Sequence, residues 1–185
     1  MRSWTLLSVR LLVMTAMVTV LAGSRALAQY TPTDNGSEVR FAIRNLGFRV
    51  TGSFSGLQGS IRFDPGHGTE GAFDISVDAT TVSTDNSMRD DHLRAADYFD
   101  VQHYPRIRFV STRVTASNKR DSWIVFGKLT IKNHTKDISF PFSVNSLNGG
   151  YLFKASFPLN RRDFEVGGAS IISDELDVTL NILTK

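Results

Sequence analysis

Histidine is the side chain best suited to metal binding or proton transfer near neutral pH. The chain has four: His67, His92, His103 and His134. They are too scattered for a local motif of the H-E-x-x-H kind, and there is no Cys to complete a zinc set. Arg89, Asp90 and His92 form the one run in which a cation, an acid and an imidazole adjoin. Their simpler reading is structural, with Asp90 capping the start of a helix and Arg89 pairing or bonding carbonyls at the end of a sheet. Gly66-His67-Gly68-Thr69-Glu70-Gly71 fits G-x-G-x-x-G literally. A dinucleotide fingerprint must follow a strand and open a helix, whereas this stretch lies between two strand patterns and reads as a hairpin loop. Gly52-Ser53-Phe54-Ser55-Gly56 puts Phe where a nucleophile elbow needs Ser. Arg161-Arg162-Asp163 offers either a phosphate contact or, more simply, an ion pair within a turn. The sequence therefore predicts no catalytic residue, no metal ligand and no cofactor.

What remains is a large stock of apolar side chains, and their spacing is that of strands. Val39, Phe41 and Ile43 alternate with polar or small residues, as do Phe73, Ile75 and Val77, then Ile138, Phe140, Phe142 and Val144, then Leu176, Val178, Leu180 and Ile182. Ile61 with Phe63 and Ile107 with Phe109 repeat the pattern. Period two with one apolar face marks antiparallel sheet that is wet on one side. Strands are expected at 37–46, 48–55, 57–63, 72–82, 106–116, 122–132, 136–147, 150–158 and 175–184, separated by Gly56, Asp64-Pro65-Gly66, Asn118-Lys119, Asn133-His134 and Asn148-Gly149-Gly150. So many one-sided strands need closure or sheet-on-sheet packing, and a barrel and a sandwich satisfy that equally. One stretch, Thr84 to Asp97, breaks the pattern and reads as a cap and a short helix, with Ser87 and Asp90 spaced as a capping box. A second helical turn is expected at Arg161 to Phe164.

The first residues read as an address. Arg2 and Arg10 are followed by the apolar run Leu11 to Ala22 and by the small-residue site Ala26-Leu27-Ala28. This is the layout of a cleaved secretory signal peptide over 1–28, leaving one domain over 29–185 that begins at Gln29. Removing Arg2, Arg10 and Arg25 from the 21 basic residues leaves as many as the 18 acidic ones, so the high pI belongs to the leader. A neutral domain offers no concentrated basic face for nucleic acid. All thirteen Phe fall in that domain, suiting a large core or an apolar cavity.

From Ser83 the sequence resembles a known family. The likeness runs through Ser83-Thr84-Asp85-Asn86, Arg89-Asp90-Asp91-His92-Leu93-Arg94, Asp97-Tyr98-Phe99-Asp100-Val101 and Tyr104-Pro105-Arg106-Ile107-Arg108-Phe109-Val110-Ser111-Thr112. Ser37 to Phe41, Gly52-Ser53-Phe54, Gly59 to Asp64, Gly127 to Ile131 and Asn160 to Phe164 agree in order. Together these resemble the YceI-like polyisoprenoid-binding proteins. The chain departs from them at Asn45, where His is common, at Asn133-His134, where Gly often precedes Val-Thr-Lys, and at Glu165, where Gly is common.

The resemblance implies an all-β fold: an extended, eight-stranded, antiparallel, lipocalin-like β-barrel with one short helix. It also implies an exported, periplasmic binding or carrier protein for a long-chain isoprenoid lipid, a polyprenyl or an isoprenoid quinone, and not an enzyme. The ligand-lining candidates are then Phe41, Ile43, Phe54, Phe63, Phe73, Ile75, Phe109, Leu129, Phe140, Phe142, Leu176, Val178 and Leu180. Two other readings stand beside it. One is a ligand-free interaction or stress-response module assisting membrane electron transfer, which a filled lumen would favour. The other is a lipid-modifying enzyme, which would need ionisable groups facing inward. An exposed edge or mouth leaves room for a transient membrane or membrane-protein contact and for a homodimer.

Overall fold

A computed structural model describes residues 27–169 and 171–185. All but the last two residues of the expected leader lie outside the described residues. Eight long strands close into one antiparallel barrel: β2 (Pro32–Asn45), β3 (Phe48–Arg62), β4 (Ala72–Ser83), β5 (Arg106–Ala116), β6 (Ser122–Ile131), β7 (His134–Leu147), β8 (Gly150–Asn160) and β9 (Ile172–Thr184). Neighbours pair in the order β3-β2-β9-β8-β7-β6-β5-β4, and β4 pairs back onto β3. Closure removes the free edges that an open sheet would expose. The expected eight-stranded barrel is thus the fold.

The closure depends on two departures from simple alternation. The expected strands 48–55 and 57–63 are one continuous strand, and Gly56 is not a turn. Gly56 (φ +72°) lies where the β3–β4 register shifts between Ser55 and Gln58, and Gly59 (φ +125°) follows opposite Ile75, so the strand bends instead of ending. A Cβ at Gly59 would strike the main-chain oxygen of Asp74, so only glycine fits there. The second departure is the short strand β1 (Gln29–Tyr30), which the alternation did not mark. It pairs with Ile61 and Arg62 of β3, while Thr31 and Lys185 exchange main-chain hydrogen bonds of 3.0 and 3.1 Å. Where β2 bulges between Thr33 and Glu38, the Asp34 carboxylate accepts from the amides of Gly56 (3.1 Å) and Leu57 (3.0 Å). Backbone donors that the bulge would strand are thereby satisfied.

The helix α1 (Ser87–Arg94) sits on the end of β4. Its N-cap is Asn86, whose side chain accepts from the Arg89 amide at 3.0 Å, and not the expected Ser87. Asp90 does not cap the helix either. It is buried and accepts from the Thr84 amide (2.8 Å) and hydroxyl (2.5 Å). Those bonds, with the positive charges of Arg94 and Arg89 nearby, hold its carboxyl below the usual carboxylate range. Arg89 bonds the Thr84 carbonyl at 2.8 Å, and Arg94 those of Thr80 (2.8 Å) and Val82 (2.9 Å). A short helix with little apolar surface is thus riveted to the barrel rim by charged hydrogen bonds.

Candidate functional site

The barrel interior divides along its axis into a filled half and a hollow half. At the end that holds β1 and the 3-10 turn Pro65–Glu70, Phe63 is fully buried. Its ring meets those of Phe73, Trp123, Phe142, Tyr151 and Phe153 at centroid distances of 5.0–6.3 Å, mostly edge-on. This is a close-packed aromatic plug. Gly68, within the turn that fits G-x-G-x-x-G, presses against the Trp123 indole, so the motif closes a barrel end and opens no nucleotide site.

Toward the other end the inward side chains still touch in pairs but no longer fill the centre. Ala155, Phe157, Leu159, Leu176, Val178 and Leu180 point inward by register yet keep accessible surface. That surface is the wall of a cavity of about 240 Å³. A water-sized group needs roughly 10–15 Å³ of such space, so the cavity holds on the order of twenty such groups, enough for a slender chain of about four isoprene units. The cavity reaches the rim at Ile43, Ile172 and Leu176, beside the β2–β3 hairpin.

Twelve of the thirteen lining candidates border this cavity: Phe41, Ile43, Phe54, Phe73, Ile75, Phe109, Leu129, Phe140, Phe142, Leu176, Val178 and Leu180. Phe63 does not. It lies on the correct face of β3 but at the depth of the plug. Two glycines make room for rings on the wall. A Cβ at Gly52 would collide with the Phe41 ring, and one at Gly127 would lie 2.5 Å from the Phe109 ring. Phe140 and Phe157, on paired strands, stack at 4.0 Å between centroids.

The strand pattern did not reveal the cover of the hollow half. Leu93 of α1, with Tyr98 and Phe99 of the connector after it, comes over the cavity from one side, and Phe99 meets Phe54 edge-on at 5.3 Å. Phe164 and Val166, in and after the turn η2 (Arg161–Phe164), come from the other. Arg161 holds that turn. It is buried and donates to the carbonyls of Val166 (2.7 Å), Ser173 (2.9 Å), Gly168 (3.0 Å) and Ile172 (3.2 Å) and to the Asp174 carboxylate (2.8 Å). Its guanidinium is consumed in fixing the loop, and Arg162 bonds the same Gly168 carbonyl.

Among the described residues no carboxylate and no imidazole borders the cavity; the polar residues that do are Arg40, Ser76, Tyr98, Lys154, Asn160 and Arg161. The histidines are occupied elsewhere. His67 pairs with Asp64 (3.0 Å), His103 with Asp100 (2.8 Å) and His134 with Glu165 (3.5 Å), while His92 packs edge-on against Tyr98. Among the described residues no three His, Cys, Asp or Glu come together as a metal set. Such a wall can remove an apolar chain from water and orient it, with the plug behind it and the rim in front.

Known proteins share this architecture. A UPF0312 protein of Pseudomonas putida (strain W619) is 31% identical over 87% of this chain and 88% of its own. The crystal structure of Burkholderia cenocepacia BcnA superposes with a TM-score of 0.78 at 24% identity, over 83% of this chain and 99% of that one. A polyisoprenoid binding domain from Saccharophagus degradans, implicated in plant cell wall breakdown, superposes with a TM-score of 0.68 at 15% identity, over 84% and 97%. The pattern of the YceI-like domain matches residues 30–183, almost the whole described barrel, and the chain belongs to that family.

Proposed function

We propose that the protein is a periplasmic binding or carrier protein that holds the end of a long-chain isoprenoid lipid, a polyprenyl or an isoprenoid quinone, in the hollow half of its barrel. The observation that carries this reading is a cavity of about 240 Å³ with an apolar wall, stopped at one end by the Phe63 plug and reaching the rim at the other. Burying a methylene-sized group is worth about 0.8 kcal/mol, so a five-carbon unit contributes at most roughly 4 kcal/mol. Association costs about 4–15 kcal/mol before any surplus remains. Four units offset that cost and one does not, which favours a long, slender chain over a small apolar molecule. The shared fold with the Saccharophagus degradans domain, a polyisoprenoid binding domain, supports the ligand class.

Binding and shielding need no nucleophile, and a wall without carboxylate or imidazole suits a role that is not enzymatic. Export to the periplasm follows from the leader over 1–28. The first described strand begins at Gln29, so cleavage after Ala28 would leave the barrel intact. Mass spectrometry of lipid extracted from the purified mature protein tests the reading. An isoprenoid chain should be recovered, and its repeated absence from preparations made in an isoprenoid-producing host would refute the proposal and leave a ligand-free interaction module.

A further inference from the structure

The β2–β3 hairpin ends in a two-residue turn, Leu46-Gly47, with both residues left-handed at φ +50° and +84°. Such turns favour Asn or Asp followed by Gly, and a bulky residue at positive φ is an outlier. Leu46 occupies that position while 69% exposed, so no packing compensates the strain. Phe48, the next residue of the hairpin after the glycine, is 77% exposed. Asn45 pairs with Phe48 on one side and with Ile172 on the other, which brings Ile171, 75% exposed, to the same corner of the rim. Three large apolar side chains thus stand in solvent immediately above Ile43, Ile172 and Leu176, where the cavity reaches the rim. Below the tip, Arg44 lies directly opposite Arg49. Like charges placed so are destabilising. Arg49 makes one long, exposed ion pair with Asp177 at 3.9 Å, and Arg44 has no hydrogen bond or ion pair among the described residues.

We infer that this corner docks the barrel mouth on the surface of an anionic lipid bilayer, with Leu46, Phe48 and Ile171 in the interface and Arg44 and Arg49 against the headgroups. The exposed apolar tips and the opposed cations, both unfavourable in water, are favourable there. Exposed apolar tips partition into the headgroup and acyl boundary, and paired cations lose their mutual cost against anionic lipid. The inference rests on the proposed lipid-binding role, because docking at the mouth lets an isoprenoid chain pass between bilayer and cavity without crossing water.

Cosedimentation of the mature protein with vesicles of phosphatidylethanolamine containing about one-third phosphatidylglycerol tests it, since the cationic pair requires anionic lipid. The wild type should sediment with these vesicles and not with phosphatidylcholine vesicles. Leu46→Asn with Phe48→Ser should cut the bound fraction at least tenfold without lowering the thermal midpoint, because Asn suits the turn better than Leu. Arg44→Gln with Arg49→Gln should abolish the preference for anionic vesicles. Uptake of a fluorescent prenyl alcohol from detergent solution, measured beside it, separates the two claims. A variant that takes up the probe but does not sediment places the fault in docking alone, whereas a wild type that sediments without taking up the probe refutes the cavity reading. Wild-type protein that ignores anionic vesicles, or hairpin variants that sediment like it, would overturn the inference. So would a hairpin-dependent dimer in light scattering without vesicle binding, which would assign the patch to a second copy.

Discussion

Ala155 is the position at which the hollow half can be filled most cleanly. It points inward between Phe142 on β7 and Leu180 on β9 and borders the cavity. Ala155→Phe adds a ring of about six carbons to a space that holds on the order of twenty, displacing roughly one isoprene unit. At about 0.8 kcal/mol per carbon group that unit is worth at most about 4 kcal/mol, and at 1.4 kcal/mol per decade the affinity should fall by up to about a thousandfold. The effect on the ligand-free protein has the opposite sign. A ring entering a void gains contacts, so urea unfolding of the delipidated variant should show stability equal to or above that of the wild type. In a solid core the same substitution would overpack and cost about 1–3 kcal/mol. Titration with a fluorescent prenyl alcohol and urea melts of the delipidated protein read the two quantities independently. Loss of stability with unchanged affinity would refute the assignment of this half of the barrel as a ligand cavity.

Phe63→Ala should behave inversely, costing about 3–5 kcal/mol in urea melts by opening the plug while leaving the hollow half able to take up ligand. Affinity measured along a series of prenyl alcohols should rise to about four units and then flatten, because further units find no preformed wall; an affinity still climbing steeply beyond that length would show that the inner rings yield. Asp90 has its pKa lowered in the folded state, chiefly by the Thr84 hydroxyl bond, so its contribution is present above the ordinary carboxylate pKa and is lost as pH falls through the lower, folded value. Asp90→Asn should therefore lower stability at neutral pH and flatten its decline with acid, checked by urea midpoints between about pH 6 and pH 2. Arg161→Met should release the turn from Glu165 to Gly168, detected as faster amide exchange at Val166 and Gly167 with the barrel strands still protected.

Period two located the faces but not the depths. Phe41, Ile43, Val178 and Leu180 could be assigned to the interior from alternation, and Phe63 could be too, because a strand's alternation states which side a residue faces and nothing about how far along the axis it lies. Whether the interior at that level is plugged or hollow depends on which rings arrive from the other strands. Gly56 misled for a related reason. Glycine marks turns and bulges alike, and the two are separated only by whether the partner strand continues alongside, as β4 does. The cover was illegible because Tyr98, Phe99, Phe164 and Val166 come from connectors too short to carry a period. Asn86 and Ser87 are both good caps, and Ser87 lacks its box partner because the Asp90 carboxylate is taken by the Thr84 amide and hydroxyl. The barrel, rather than a sandwich, came from family resemblance and not from periodicity, since one-sided strands satisfy both.

The uneven filling of the barrel bears on how it would discriminate among apolar molecules. A fully hollow barrel of eight strands would gain ligand area only by surrendering packing along its whole length, in a domain with no disulfide to compensate. Confining the aromatic cluster around Phe63 to one end keeps a dense core where β1 and the chain end are tied together, and leaves the other half with only the smaller cluster of Leu129, Ile131, Phe164 and Val166. The hollow half is then covered by pieces whose anchorage is polar: Asp90 and Arg89 hold α1 at Thr84, and Arg161 holds the loop after η2. For the proposed ligand, the side chains of Tyr98 and Phe99 are then the ones free to yield, because Arg161 fixes Val166 and neither ring belongs to the plug. On the proposed reading, selectivity arises from length and slenderness rather than from any polar contact deep in the barrel. Stability and ligand capacity are thereby carried by different residues, and substitutions on the two sides of Phe73 and Phe142, which border both regions, should separate them.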